Sequence, residues 1–209
     1  MVATPKHTPQ RRRRQETRAK LLEAATCVLA RSGFERATLD EIAREAGFSK
    51  GAFYVHFESK DDLFWAMLEE RISHQQEAFR QAVDYSKSMD YNVRMILSAV
   101  FGLLGDDALW GSLFMEFHAH AGRNEQVRRR LGSMYEGWRQ LIVDILSVSR
   151  ETGRMRSDAD LELMATVLVA AVEGSIIQSR LTPEAVRLDE MLEPLTRTLS
   201  EWLTGEIGL

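Results

Sequence analysis

Between Ser32 and Asp62 the stop and start signals follow one another so closely that the chain has room only for short helices joined by tight turns. An amphipathic stretch, Glu16 to Arg31, carries Leu21, Leu22, Ala25, Val28 and Leu29 at helical spacing. Ser32-Gly33 ends it, because glycine takes the left-handed turn after a helix at little cost. Thr38 is then a good N-cap, with Glu41 in the capping-box position. The helix it opens, Leu39–Ala46, buries Ile42 and Ala43 and stops at Gly47. Ser49 caps the next, from Lys50 to about His56, and Ser59 caps a fourth whose first turn carries Asp61 and Asp62, as the helix dipole favours. Two short helices around a Gly47-Phe48-Ser49 turn read as a helix-turn-helix, the second small enough at its start to enter a major groove.

Charge supports that reading. The net charge of −4 conceals an asymmetry: residues 1–60 hold 12 Lys+Arg against 7 Asp+Glu, and the remainder holds 15 against 24. A basic head on an acidic body fits a polyanion partner at one end. Residues 1–14 are expected to form a basic flexible arm, in which Arg11, Arg12, Arg13 and Arg14 lie against phosphates or simply face solvent. The single cysteine, Cys27, excludes an internal disulfide framework and is read as a small apolar residue beside the buried face of the first helix. No run of eighteen apolar residues and no secretory signal is found, so no membrane association and a cytoplasmic location are expected.

The run TLDEIAREAGFSKGAFYVHFESKDDLF, Thr38 to Phe64, resembles the signature of TetR-type repressors, the tetracycline-repressor family. Gly33-Phe34, Ile42-Ala43, Ala46-Gly47, Ser49-Lys50-Gly51, Phe53-Tyr54, His56-Phe57, and Lys60 with Leu63 all fall in register, and the likeness covers residues 17–65 closely. The rest resembles the family in layout alone. Helices are expected over 60–85, Tyr91–Leu104, Ala108–Ala121, Asn124–Glu151, Asp160–Arg180 and Leu188–Leu203. The expected architecture is all-α: a helix-turn-helix domain over 15–60 and a larger helical ligand-binding and dimerisation domain over 61–209.

The DNA-facing set is read as Thr38, Ser49, Lys50, Gly51, Ala52, Tyr54, Val55, His56 and Lys60, with the four arginines. Small side chains at the start of the recognition helix let its backbone approach the duplex, and its N-terminus favours phosphate. Lys50 is the long donor there, able to reach guanine O6 and N7 or a phosphate. The resemblance implies that Tyr54, His56 and Lys60 clamp the DNA backbone. Val55 stands where the family often has a larger residue, and it touches a thymine methyl or nothing. Phe53 and Phe57 are assigned to the core.

The C-terminal half concentrates aromatics and methionines. Trp110, Phe114, Phe117, His118, Met134 and Trp138, with Met164 and Leu168, are read as lining a cavity for an apolar inducer, and His118 as meeting its polar end. Ordinary core is the alternative for each residue singly. The resemblance raises the cavity reading, and it implies that ligand there changes the separation of two DNA-binding heads through the helix beginning near Lys60. His118 and His120 point to different sides of a helix, so no metal site is assigned, and no cofactor is called for. Apolar stripes on the last two helices fit a homodimer interface: Leu161, Met164, Leu168, Ala171, Val172 and Ser175, then Met191, Leu192, Leu195, Leu199 and Trp202. Closing the monomer core is the alternative. No phosphate loop, nucleophile motif or metal triad is present, so the chain is not expected to be an enzyme. The reading is a repressor that binds a palindromic operator in double-stranded DNA as a dimer. A DNA-binding protein without a ligand is the alternative.

Overall fold

A computed structural model describes residues 9–105 and 108–206. Every regular element among them is a helix: α1 Pro9–Arg36, α2 Leu39–Glu45, α3 Lys50–Tyr54, α4 Lys60–Ala82, α5 Met89–Gly105, α6 Ala108–Ala121, α7 Glu125–Glu151, α8 Leu161–Leu181 and α9 Leu188–Thr204. The chain divides between Ile72 and Ser73 into two compact units, the division falling inside α4.

In the first unit, Leu21, Ala25 and Val28 of α1 are buried together with Ile42, Ala43, Phe53, Phe57, Leu63 and Phe64. Each side chain of Leu or Phe size contributes roughly 1.5–3 kcal/mol when fully buried. That outweighs the poor intrinsic stability of helices as short as α2 and α3. Local signals set their ends. The Thr38 hydroxyl accepts from the Glu41 amide while the Glu41 carboxylate accepts from the Thr38 amide, completing the capping box. Ser49 Oγ accepts from the Ala52 amide at 3.2 Å, and Gly47 takes φ 76° in the turn.

Two expectations change here. The helix expected from Glu16 already begins at Pro9, so Arg11–Arg14 are helical turns of α1 and not a flexible arm. Residues 1–8, the rest of that arm, lie outside the described residues. Cys27 is exposed, since it projects from the outer side of α1, away from Ala25 and Val28.

In the second unit, Asn124 caps α7, Asp160 caps α8, and Gly205 ends α9 at φ 88°. A core gathers Val93, Leu97 and Phe101 of α5, Leu146 of α7, Leu161, Met164 and Ile176 of α8, and Leu199, Trp202 and Leu203 of α9. Part of the expected dimer stripe belongs to this core. Leu161, Met164, Ser175, Leu199 and Trp202 are buried within the subunit, and Leu168, Val172, Leu192 and Leu195 pack against the same core. The outward face of α8 is different. Leu163 and Leu181 are 56% and 67% exposed, and Ala170 and Gly174 fall between them on the same side at about 100° per residue.

α8 is also long and apolar enough to cross a membrane by length and composition. Its middle, however, carries Glu173, hydrogen-bonded to Tyr135 of α7, and one of its faces fills the core just described. The apolarity is that of a helix covered on one side by its own subunit.

Candidate nucleic-acid interface and ligand site

The recognition helix α3 has one buried residue, Phe53, 0% exposed, and the side chains around it turn outward. Tyr54 is 50% exposed and Val55 61%. Tyr54 leans its ring edge on Phe53, with centroids 5.8 Å apart, which leaves the phenol end free of the core. At the other end of the helix an added Cβ at Gly51 would meet nothing closer than Ser49 Oγ, at 3.8 Å. The fold therefore does not require glycine there, and the open space lies at the surface. Ala52 is half-buried beside it.

Lys50 pairs with Asp40 at 3.0 Å, both exposed, so the ammonium reaches from α3 to the first turn of α2. Asp40 holds the Lys50 pKa above its ordinary value. A pair this exposed contributes little to stability, and a phosphate or guanine can replace Asp40 as its partner. Thr38 and Ser49 are engaged in their caps, and Ser49, which only accepts there, can turn its hydroxyl hydrogen outward.

His56 sits half-buried just past α3. Burial holds its pKa below the ordinary histidine value, and Arg14 and Arg18 push it further the same way. Arg14 donates to the Val55 carbonyl at 3.4 Å, and the Arg18 guanidinium lies 5.3 Å from the Phe57 ring centroid. The N-terminal turns of α1 thus bring cations beside the end of the recognition helix. Arg12 pairs with Glu16 at 2.8 Å on the exposed side of α1. Lys60, expected on phosphate, has other partners: its ammonium donates to the carbonyls of Phe34, Glu35 and Ala37 at 2.6, 3.2 and 3.1 Å.

In the second unit the expected ligand set separates. Phe117 and Met164 are buried at 1% and 4% exposure, and Leu168 packs on the core. Trp110, Phe114, His118, Met134 and Trp138 are half-buried. Around His118 a polar chain crosses three helices. Nδ1 lies 2.7 Å from the Phe114 carbonyl, and Nε2 lies 2.7 Å from the Tyr135 hydroxyl, which donates to Glu173. Burial, and next the Glu173 carboxylate, raise the Tyr135 pKa above the ordinary phenol value, so Tyr135 stays protonated. The Phe114 ring lies against His118, tilted by 47°, with centroids 4.0 Å apart. Trp138 meets Phe79 of α4 edge to face at 5.7 Å. The fold brings Tyr135, Glu173 and Phe79, which were not among the expected ligand residues, beside His118 and Trp138. Glu173 carried a signal in the sequence, the one charged residue of α8 between Glu162 and Arg180.

Family models match most of the chain. One, described as bacterial regulatory proteins of the tetR family, covers residues 21–67, and another, the C-terminal part of BetI-type transcriptional repressors, covers residues 91–204. The transcriptional repressor DhaR of Mycobacterium sp. (strain GP1) is 27% identical over 86% of this chain and 90% of its own length. The repressor BepR of Brucella suis is 28% identical over 92% of this chain and 83% of its own. Among solved structures, the fatty acid degradation regulator FadR of Bacillus halodurans has a TM-score of 0.78 at 18% identity, covering 95% of this chain and 98% of that one. FadR of Bacillus subtilis, in complex with stearoyl-CoA, has a TM-score of 0.73 at 19% identity, covering 91% and 99%. These two are likenesses of fold. With an exposed recognition helix on a basic unit and both family models in register, the chain belongs to the TetR family of bacterial regulatory proteins and is a DNA-binding transcriptional repressor.

Proposed function

We propose that two copies of the chain hold a palindromic operator through their α3 helices and release it when an apolar small molecule enters the C-terminal unit. The observation carrying the DNA contact is the outward face of α3, where Tyr54 and Val55 stand exposed beside Lys50, Gly51 and His56. Tyr54 and His56 take phosphates, and Lys50 exchanges Asp40 for a base or a phosphate. Arg11–Arg14 approach neighbouring phosphates from the first turns of α1. Four cations at a helix N-terminus oppose its dipole, and phosphate relieves that conflict. The repressor acts in the cytoplasm, on double-stranded DNA, and needs no cofactor or catalytic residue.

The second copy docks on the outer faces of α8 and α9. Leu163, Ala170, Gly174 and Leu181 supply the α8 stripe. On α9 a groove of about 250 Å³ lies between Arg187, Glu190, Met191, Pro194, Leu195 and Thr198. Small residues at 170 and 174 permit the close crossing of two helices.

Phe114, His118, Tyr135, Trp138 and Glu173 form the ligand end of the switch. α4 is suited to carry the signal, because Phe79 of α4 touches Trp138 in one unit while Lys60 of α4 is bonded to the end of α1 in the other. The stearoyl-CoA in the Bacillus subtilis relative supports an apolar ligand with a polar end. The test is competition. A DNA duplex is first selected from a randomised pool with this protein, and its complex is titrated with stearoyl-CoA, free stearate and shorter acyl chains. Loss of the complex with one of these, abolished in Trp138→Ala, supports the reading. Tight binding of the selected duplex unaffected by any apolar compound would leave a DNA-binding protein without a ligand.

A further inference from the structure

α1 reaches its end in two steps. At Gly33 the backbone turns to φ 75°, ψ 168°, and one more turn through Arg36 is closed by the Ala37 amide on the Gly33 carbonyl at 3.3 Å. Carbonyls at a helix end lack amide partners of their own. Those of Phe34, Glu35 and Ala37 converge on Lys60 Nζ. An ammonium has three donors, and all three find an acceptor here. The same group lies 4.6 Å from the Phe34 ring centroid, and Phe34, 1% exposed, sets its edge on Phe64 of α4 at 5.3 Å.

Charge explains why a lysine is stable at this place. Lys60 is the first residue of α4, where the dipole of its own helix disfavours a cation and suits Asp61 and Asp62. The carbonyl end of α1 carries the opposite partial charge and offsets that penalty. The residue after Ala37 is Thr38, the cap of α2. The ammonium therefore fixes the turn from which the helix-turn-helix starts.

We propose that Lys60 is a positioning residue for DNA recognition and not a phosphate ligand. It ties the α1–α2 turn to the first turn of α4 and so sets the direction in which α2, and after it α3, leave α1. A phosphate reaching Nζ would have to displace one of three carbonyls already in place. Arginine cannot replace it, because a planar fork does not fit a cluster that converges on one point. The inference rests on DNA binding alone and is independent of ligand and dimer face.

The test uses the full-length protein, the selected duplex and a shuffled duplex of equal length. Lys60→Met and Lys60→Arg are each measured over a series of salt concentrations, well below their melting temperatures. Both variants are expected to lose about tenfold or more in affinity for the selected duplex, to keep their affinity for the shuffled one, and to keep the wild-type salt slope. Mere stabilisation of the fold would leave the preference between duplexes unchanged. In the wild-type protein, Lys60 is expected to resist reductive methylation before any DNA is added, a readout that holds even where a variant does not fold. The proposal is overturned if Lys60→Met weakens both duplexes with a slope smaller by about one while Lys60→Arg restores both. It is also overturned if both variants bind as wild type, or if Lys60 is methylated freely in the free protein and protected only on DNA.

Discussion

The phenol of Tyr135 on α7 donates a hydrogen bond to the carboxylate of Glu173 on α8. The same oxygen is 2.7 Å from His118 Nε2, and His118 Nδ1 can only donate to the Phe114 carbonyl. The phenol oxygen thus stands between an imidazole on α6 and a carboxylate on α8, and the polar chain is sensitive to the loss of either end.

Tyr135→Phe leaves the Glu173 carboxylate without its donor, and the subunit should lose about 1–3 kcal/mol in denaturant unfolding. Glu173→Gln should cost less, because the amide can donate to the phenol oxygen or accept from it. A double-mutant cycle measures the link. A coupling energy below about 0.5 kcal/mol would mean that the two side chains act independently.

His56 gives a pH dependence of definite sign. Its pKa is held below the ordinary histidine value by burial first, then by Arg14 and Arg18. The unfolded chain therefore takes the proton at higher pH than the folded one. The stability tied to His56 is complete above the ordinary value near 6.5 and is lost as pH falls toward the depressed folded value. Phosphate acts the other way, favouring imidazolium, so DNA binding should take up a proton in the same range. Affinity for the selected duplex should rise as pH falls from 7.5 to 5.5, with a slope up to about one unit of log K per pH unit beyond that of His56→Gln. Superimposable pH profiles for the two proteins would take His56 off the phosphates.

Gly51→Ala separates a folding role from a binding one. The added methyl meets only Ser49 Oγ at 3.8 Å, and alanine is the better helix former, by about 1 kcal/mol. The melting temperature should hold or rise. The methyl would stand on the open side of α3, and affinity for the selected duplex should fall about tenfold or more. Unchanged binding would place DNA on another face of the helix.

What could be seen in the sequence was what is decided locally. Thr38 with Glu41, Gly47 and Ser49 act over three or four residues, and the helix-turn-helix forms where they put it. The fate of the second unit's residues depends on neighbours far along the chain. Met164 and Leu168 have the character of ligand-lining residues, yet α5 and α9 pack over that side of α8. Glu173 needed Tyr135, on another helix, before its place in an apolar segment made sense. Lys60 reads in the sequence as one more cation near DNA, and the carbonyls that surround it come from the end of α1, more than twenty residues away. Arg11–Arg14 looked unstructured because Pro9 and four like charges hide a helix start.

The two faces of α8 provide the sharpest contrast. An added Cβ at Gly174 meets nothing within 4 Å, so the isolated subunit can accept a larger residue there. Gly174 nevertheless lies on the stripe with Ala170 and the exposed Leu163 and Leu181, where the proposed partner helix approaches most closely. Gly174→Glu would place two like charges at the crossing, since an interface between identical copies repeats each residue. The variant should keep its helical content and melting behaviour as a subunit, sediment as a monomer at micromolar concentration, and bind the selected duplex with affinity lower by orders of magnitude. Met164→Ala, on the buried face, should do the reverse: about 2–5 kcal/mol of subunit stability lost through the cavity left behind, with the association of folded subunits intact. A Gly174→Glu protein that still sediments as a dimer would move the interface away from this stripe. An effect of Met164→Ala on association without loss of stability would return the interface to the inner face, which the core of the subunit already occupies.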